Sequence, residues 1–578
     1  MTSEVSLQPE LLVDPRGAFL KAPVALAPRL SKLNESAVLL FDNSQQTTEL
    51  PTFGPIFRWV SEFLEIQHKA KCSYETRNLL KGSRDDLVKL AEEIAQSGIE
   101  AVVIALCKGG VTGPTSLFAA ELERKGIPCV QICTALGYPL AGVTAARYVP
   151  GLPIVLVQPA TGDKDNFGKS ETAAIGPEIV FGLTSAPAAL NARFLEHFTS
   201  EVFSIAENGR IQLPSIRHAA KAIEGRTVVK VDPGRFAEDL YEALCAADLC
   251  DGFPVIPPTE GRVEGMFAFT DLDPDDVLLG EMPPSGASIT VRSLAANAVM
   301  AGCRPEYFPI LVTAIQAISD PAYRIFQGAI TTHPSGNAVI ISGPLAAELG
   351  IHSGPGCLGP GFRANATIGR AINLTIMNVA RAIPGKTDLS LHGSPAEFTY
   401  CFAEAESGNP WQPLHTELFG PQITSVTVHK CEGPHNVLDP RAGPEDLLRT
   451  IAATAATPGG NSLVHLGQLL VILNPGQAEK VAKAGWSKQD VKEFLFETAR
   501  HPLELARQQG ARASFPPYFL KLPRVPVMKS AEDVIVVVCG GRGGHAMVGV
   551  PWGRARAVSR PVAMRNGTPI LNLKTKFR

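Results

Sequence analysis

Short apolar runs alternate with stretches of helical period through the first third of the chain. The run A-V-L-L-F-D-N (37–43) reads as a buried strand ending on Asp42 and Asn43. A helix is expected over 53–66, a short strand over 69–73, and a second helix over 84–98, where Leu87, Leu90, Ala91 and Ile94 share one face. The run 101–106 is the next strand. It delivers Cys107 and Lys108 to a glycine turn, Gly109–Gly110, ahead of a helical stretch with Leu117, Ala120 and Leu122 on one side. Strands at 129–133 and 153–157 follow, and a helix from Pro187 to Glu207 is expected to close the unit. Strands interleaved with helices in this way predict a doubly wound, mostly parallel α/β sheet, which binds ligands at its carboxyl edge.

Residues 1–35 are proline-rich and irregular and read as an arm, with the α/β unit over 36–207. Residues 208–232 lack a period and read as a linker to a larger α/β domain, 233–578, whose strand order the pattern does not give. That region opens with a helix at 235–247. The Pro-Pro pair in 251–259 then predicts a rigid extended loop. Two helices over 286–319 are separated by a turn at Gly302–Pro305, and 337–344 is a strand running into a turn. A glycine-rich loop runs into a helix over 353–374, and the apolar runs before Asn474 and Cys539 are strands on either side of a helical stretch at 487–508.

A chain of 578 residues is too long for one core, so several domains are expected. The apolar fraction of 45% and charged fraction of 19% are those of an ordinary globular protein. A net charge of −3 gives no electrostatic case for nucleic acid or a membrane surface. No apolar run approaches the ~18 residues needed to span a bilayer, and the start M-T-S-E-V-S-L-Q-P-E has no signal-peptide pattern. The 11 cysteines include no C-x-x-C pair. A reduced, cytoplasmic protein with most thiols buried as small hydrophobes is the expectation.

Three stretches carry candidate chemistry. At the sheet's carboxyl edge Cys107 would have its thiolate favoured by a helix N-terminus and the neighbouring ammonium, and Lys108 could form a Schiff base or hold an anion. Alternation along a strand points the two apart, so one of them is expected to work. Asp42, Asn43, Gly109 and Gly110 line the same edge. In the loop 353–370 successive glycines can converge backbone N–H groups on an anion; Arg363 at the helix start is the expected anchor, with Asn365 and Cys357 beside it. C-G-G-R-G-G-H (539–545) offers Arg542 for binding and His545 for proton transfer, against a β-hairpin or bulge. His333, held extended by Pro334, is a further proton carrier. His429, Cys431, Glu432 and His435 have ligand-type side chains but no established zinc spacing, so metal is not expected. His415 is weaker still, and Glu404 with Glu406 reads as a solvated strand face.

The texts A-V-V-I-A-L-C-K-G-G-V-T-G, E-L-E-R-K-G-I-P-C-V-Q-I-C-T-A-L-G and A-A-R-Y-V-P-G-L-P-I, with F-D-N-S near residue 41, resemble the catalytic subunit of glycine/sarcosine/betaine reductase component B and the UGSC-type selenoproteins. The likeness covers about residues 35–205, and the second half is similar to the extension of two-domain UGSC members. In that family the loop carries selenocysteine or cysteine, often with a second thiol three residues on. Here the matching positions are Lys108 and Val111, while Cys107 falls one residue early and Thr112 remains. The resemblance implies cleavage or formation of a C–N or C–S bond, with or without reduction.

The expected function is therefore a cytoplasmic enzyme, a homo-oligomer, acting on a small anionic metabolite by lyase, thiol-transfer or oxidoreductase chemistry. It would use no bound cofactor, with a thiol as the candidate co-substrate. Its site would lie between the first sheet's edge and the glycine loops of the second domain. Two alternatives stay open: a degenerate first domain serving as a binding module beside metal-dependent hydrolase or hydratase chemistry, and a subunit of a reductase complex.

Overall fold

The fold was analysed in a computed structural model that describes residues 13–18, 22–43, 54–79, 84–107, 111–134, 137–157, 169–195, 204–205, 211–212, 236–438, 443–463, 466–508 and 518–577. The elements of the first unit are β1 (Ala37–Asp42), α1 (Gly54–His68), β2 (Lys71–Thr76), α2 (Arg84–Gln96), β3 (Ala101–Cys107), α3 (Thr112–Arg124), β4 (Cys129–Cys133), α4 (Tyr138–Tyr148), β5 (Ile154–Leu156) and α5 (Lys169–Thr184); the five strands and first three helices are those expected, whereas the sequence pattern predicts neither α4 nor α5. The five strands pair in parallel in the order β2-β1-β3-β4-β5. Both faces are covered, which is why β3 is apolar without alternation and β4 is buried along its whole length.

The closing helix differs from expectation. It is α5, which ends before Pro187; Pro187–Leu190 is a separate short turn of helix followed by a wider turn, Asn191–Leu195. α5 carries Pro177, and its buried face, Thr172, Ile175, Gly176, Ile179, Gly182 and Leu183, includes two glycines and a threonine, so the apolar stripe is faint in the sequence.

The remaining strands are β6 (Ser204–Ile205), β7 (Ile211–Gln212), β8 (Val277–Met282), β9 (Ala287–Thr290), β10 (Ser335–Ser342), β11 (Cys401–Ala403), β12 (Ser425–Glu432), β13 (His435–Leu438), β14 (Leu469–Leu473), β15 (Arg500–Pro502), β16 (Arg524–Pro526), β17 (Val534–Val538), β18 (His545–Gly549) and β19 (Val558–Pro561). Two mixed four-stranded sheets dominate the second half, β11-β10-β12-β19 and β13-β18-β14-β17. The strands β17 and β18 flank β14 on opposite sides, so C-G-G-R-G-G-H is a crossover at a strand end and not a hairpin. The expected helix pair is present as Val291–Ala301 and Phe308–Ile318, separated at Gly302, whose φ of 89° suits a glycine.

The arm stitches the halves together. Val24 N donates to Tyr148 O and Leu30 N to Leu183 O in the first half. Ala18 bridges Ser288, and the carbonyl of Pro15 accepts from Asn297 Nδ2 (2.9 Å) in the second. Arg29, almost fully buried, pairs with Glu123 at 2.8 Å.

One cysteine expectation needs correction. Cys245 and Cys250 are joined in a disulfide, Cα–Cα 5.2 Å. The chain reverses at Asp248 (φ 53°) just after the helix Phe236–Ala246, which brings the two thiols together. Of the nine free cysteines all but Cys72 are buried.

Candidate functional site

In the first sheet the strand order reverses between β1 and β3, so their carboxyl ends border the crevice where such sheets bind ligands. Asp42 and Asn43 are both buried there. Tyr74 donates to Asp42 Oδ2 (2.8 Å), and Asn43 Nδ2 donates to Thr115 Oγ1 (2.6 Å), which in turn donates to the Val111 carbonyl (2.8 Å). Asn43 Oδ1 and Thr112 Oγ1 are buried with no partner among the described residues, two polar atoms at the mouth of α3. Val111 makes no side-chain cap to that helix, and a helix start of this kind favours an anion.

Cys107 is fully buried opposite Cys133 on the adjacent strand. The two thiols share a hydrogen bond, and burial first, then Cys107, pushes the Cys133 thiol well above its ordinary range. The Cys107 peptide is clamped: its carbonyl accepts from Thr134 N (3.1 Å), and a Cβ on Gly137 would overlap it. The predicted site residues Lys108, Gly109 and Gly110 lie outside the described residues.

Across from this edge stands the segment 325–335 of the second half. A Cβ on Gly113, in the first turn of α3, would come within 2.8 Å of Ile330 Cδ1. On the far side of the same segment, a Cβ on Gly328 would stand 3.2 Å from Lys430 Cε. Lys430, on β12, is 4% exposed and donates to the Ser335 carbonyl at 2.9 Å. Burial lowers its ammonium to about 8, against the pull of Glu397 and Asp388. Burial likewise raises Asp388 to about 6, with Glu397 adding to the rise.

Asp388 Oδ1 accepts from Ser390 N (3.0 Å), while Glu397 accepts from Ser394 N (2.9 Å) and Ser390 Oγ (3.3 Å). His333 Nε2 meets Glu432 Oε1 at 2.9 Å. His333 Nδ1 and Ser335 Oγ are buried without a partner among the described residues. A lysine pushed down and a carboxyl pushed up, close to a histidine–glutamate pair, are the ingredients of proton-transfer chemistry.

The sequence flagged His333 here but missed Lys430, Asp388 and Glu397. Lys430 was readable in part: alternation along the strand separates it from His429 and Cys431. The other two sit in loop text with no period.

The metal candidates do not converge. His429 and Cys431 are fully buried on the opposite face of β12, with burial pulling the imidazole down to about 4 and pushing the thiol up to about 12. His435 is exposed on β13, and Glu432 is engaged by His333. Among the described residues no three such side chains are placed to hold an ion.

The two glycine loops of the second half meet each other. Cys357 and Cys539 lie with their sulfurs 3.6 Å apart. The other residues predicted there have different tasks. Arg363 gives Nε and Nη2 to the Gly302 carbonyl (3.0 and 2.9 Å), ending the neighbouring helix instead of presenting a fork to solvent. Asn365 ties the loop, donating to the carbonyls of His352 and Cys357 and accepting from His352 N. Arg542 pairs with Glu479 at 2.6 Å, and His545 is exposed with Nδ1 2.9 Å from Asn436 Oδ1. Glu404, expected on a solvated face, is buried against Ser342 Oγ (2.7 Å) and Leu414 N (2.8 Å), and His415 Nδ1 lies 2.8 Å from the same hydroxyl.

Lys430 is bound to Ser335 at one end of β10, whereas Ala403 N meets His352 O and Ala405 N meets Val538 O beyond the other. The 8-residue strand separates the two centres by roughly 20 Å.

Residues 11–185 match the model of the UGSC family. No curated protein matches the chain. A solved structure of Rhizobium etli pyruvate carboxylase T882A, crystallized without acetyl coenzyme-A, aligns at 15% identity over 69% of this chain and 39% of that one, with a TM-score of 0.12.

Proposed function

We propose that the protein is an enzyme that makes or breaks a C–S or C–N bond in a small anionic metabolite, at the seam between the N-terminal sheet's carboxyl edge and the β10–β12 ends. The observation that carries this reading is Lys430, buried and lowered to about 8 beside a carboxyl raised to about 6. A solvated lysine could not serve as a base at neutral pH; this one holds a useful neutral fraction. In an elimination Lys430 takes the proton from the carbon next to the substrate's acid group. Asp388, in its protonated form, gives a proton to the departing sulfur or nitrogen, so that H–C–C–X becomes C=C and HX. His333 and Glu432 return the two groups to their starting forms. The helix start of α3 favours the substrate's negative charge.

A specific observation favours a second reading, reductive cleavage. The partner thiol absent from the loop at Val111 is supplied by Cys133, hydrogen-bonded to Cys107 from the next strand. A glycine-reductase-like dithiol cycle would then use those two sulfurs.

One experiment separates the readings. Thiol and ammonia release is followed over a panel of sulfur- and amino-substituted carboxylates, with and without dithiothreitol. Elimination predicts turnover independent of dithiothreitol, abolished by Lys430→Met and retained by Cys133→Ser. Turnover that needs dithiothreitol and disappears in Cys133→Ser but survives in Lys430→Met would overturn the first reading.

A further inference from the structure

The pair at Cys357 and Cys539 belongs to neither reading. Cys357 sits in S-G-P-G-C-L-G-P-G ahead of the helix Arg363–Ala380, and Cys539 follows the last residue of β17. Three contacts fix them opposite each other: Gly540 N donates to Ser353 O (2.7 Å), Asn365 Nδ2 holds the Cys357 carbonyl (3.0 Å), and Gly541 packs on Pro355. Their sulfurs are at van der Waals contact, 3.6 Å.

Each cysteine is 3% exposed, yet the cover is thin. Pro355, Gly356, Gly359 and Gly361 on one loop, and Arg542 and Gly543 on the other, are exposed. A Cβ added at Gly361, Gly540 or Gly543 would meet nothing within 4 Å. Open space therefore borders both loops, next to two sulfurs already 3.6 Å apart.

The environment also makes the two thiols unequal. The hydrogen bond shared with Cys539, and then backbone N–H groups at Cys357, Leu358 and Gly540, hold the Cys357 thiol below its ordinary value despite burial. The hydrogen bond to Cys357 and burial, followed by the charges of Cys357 and Glu404, push Cys539 well above its own. One sulfur is prepared to attack and the other to hold a proton until a bond to its neighbour can form.

We propose that Cys357 and Cys539 form a second, redox-active site that exchanges with low-molecular-weight disulfides. The Cys357 thiolate attacks one sulfur of RSSR, forms a Cys357–SR mixed disulfide and expels RS⁻. Cys539 gives its proton to that thiolate and attacks Cys357 Sγ, closing the Cys357–Cys539 bond and expelling the second RS⁻, which takes a proton from solvent. The chain loses two electrons and RSSR becomes two RSH.

The test uses the full chain, reduced and freed of reductant, with oxidised glutathione as the probe. Peptide mapping by mass spectrometry should find a 357–539 cross-linked peptide that disappears when reduced glutathione is added back. Cys539→Ser should trap one glutathione on Cys357. Cys357→Ser should slow glutathione release on the order of tenfold or more, while Cys303→Ser leaves it unchanged. In the wild-type chain, iodoacetamide should label Cys357 at lower pH than any other buried cysteine. Wild-type protein that gives no 357–539 peptide, or that takes glutathione equally on Cys303 and Cys401, would overturn the assignment. The wild-type mapping decides it even if a variant fails to fold.

Discussion

Replacing Lys430 by Met removes a charge that the fold holds at a cost, and the size and sign of the effect follow from its surroundings. The ammonium falls from an ordinary 10.5 to about 8 because burial strips its water, and Glu397 and Asp388 restore only part of the loss. That difference is worth about 3 kcal/mol. The sign is set by proton uptake: between about 8 and 10.5 the unfolded chain binds more protons than the folded one, so folded stability rises with pH through that window. Below it the cost is fully present. Methionine has a similar length and no charge, and Gly328 and Trp552 already border the space with carbon.

Lys430→Met should therefore be more stable than wild type at pH 7, by about 1–3 kcal/mol once the now unpaired Asp388 is allowed for. The gain should shrink to about half near pH 9 and nearly vanish above pH 10. Urea midpoints of the first unfolding transition, measured for both chains at each pH, read this directly. A stabilising substitution that abolishes turnover is the signature of a residue kept for chemistry. If wild type were the more stable chain at pH 7, and lost that advantage as pH rose, Lys430 would be a structural cation and the reasoning would be refuted.

Asp388→Asn should act in the complementary window. Its raised pKa means that the folded chain binds the extra proton between 3.8 and about 6, so wild type loses stability as pH rises through that range. The variant should gain about 2–3 kcal/mol over wild type above pH 6 and nothing below pH 4. Without the Asp388 charge Lys430 should also acetylate faster at pH 7. Gly137→Ala drives a methyl group into the Cys107 carbonyl, so the carboxyl edge must open; a loss of several kcal/mol is expected. Thermal melts check it, and an unchanged melting temperature would mean the clamp on Cys107 is not as drawn.

The sequence shows the first sheet because a strand covered on both faces leaves an unbroken apolar run, as in 101–106, and helices such as 84–96 leave a clean stripe. The glycine signals at Gly302 and at 353–361 also point to real turns. What could not be read was which turns meet. Arg363 at a helix start looks like an anion anchor in one dimension; in three it finds a carbonyl, Gly302 O, 61 positions away. Cys357 and Cys539 are 182 residues apart and become neighbours only because β17 runs beside β14 and the loop 353–361 folds over their ends.

Lys430 gives the sharper lesson. Its text, V-H-K-C-E, draws attention to the histidine and cysteine as metal ligands, but alternation sends those two into the core and turns the lysine the other way. There the segments 325–335 and 388–397, neither with a readable period, supply the burial and the two carboxylates that change its chemistry. Burial, and not residue type, makes a lysine a base at neutral pH, and burial is fixed by contacts between distant segments. The same rule explains why Glu404, with identical local text cues to its exposed neighbour Glu406, ends inside a hydrogen-bond network with Ser342 and His415. A polar residue on a strand declares its face in the sequence, but what packs on that face is declared only by the fold.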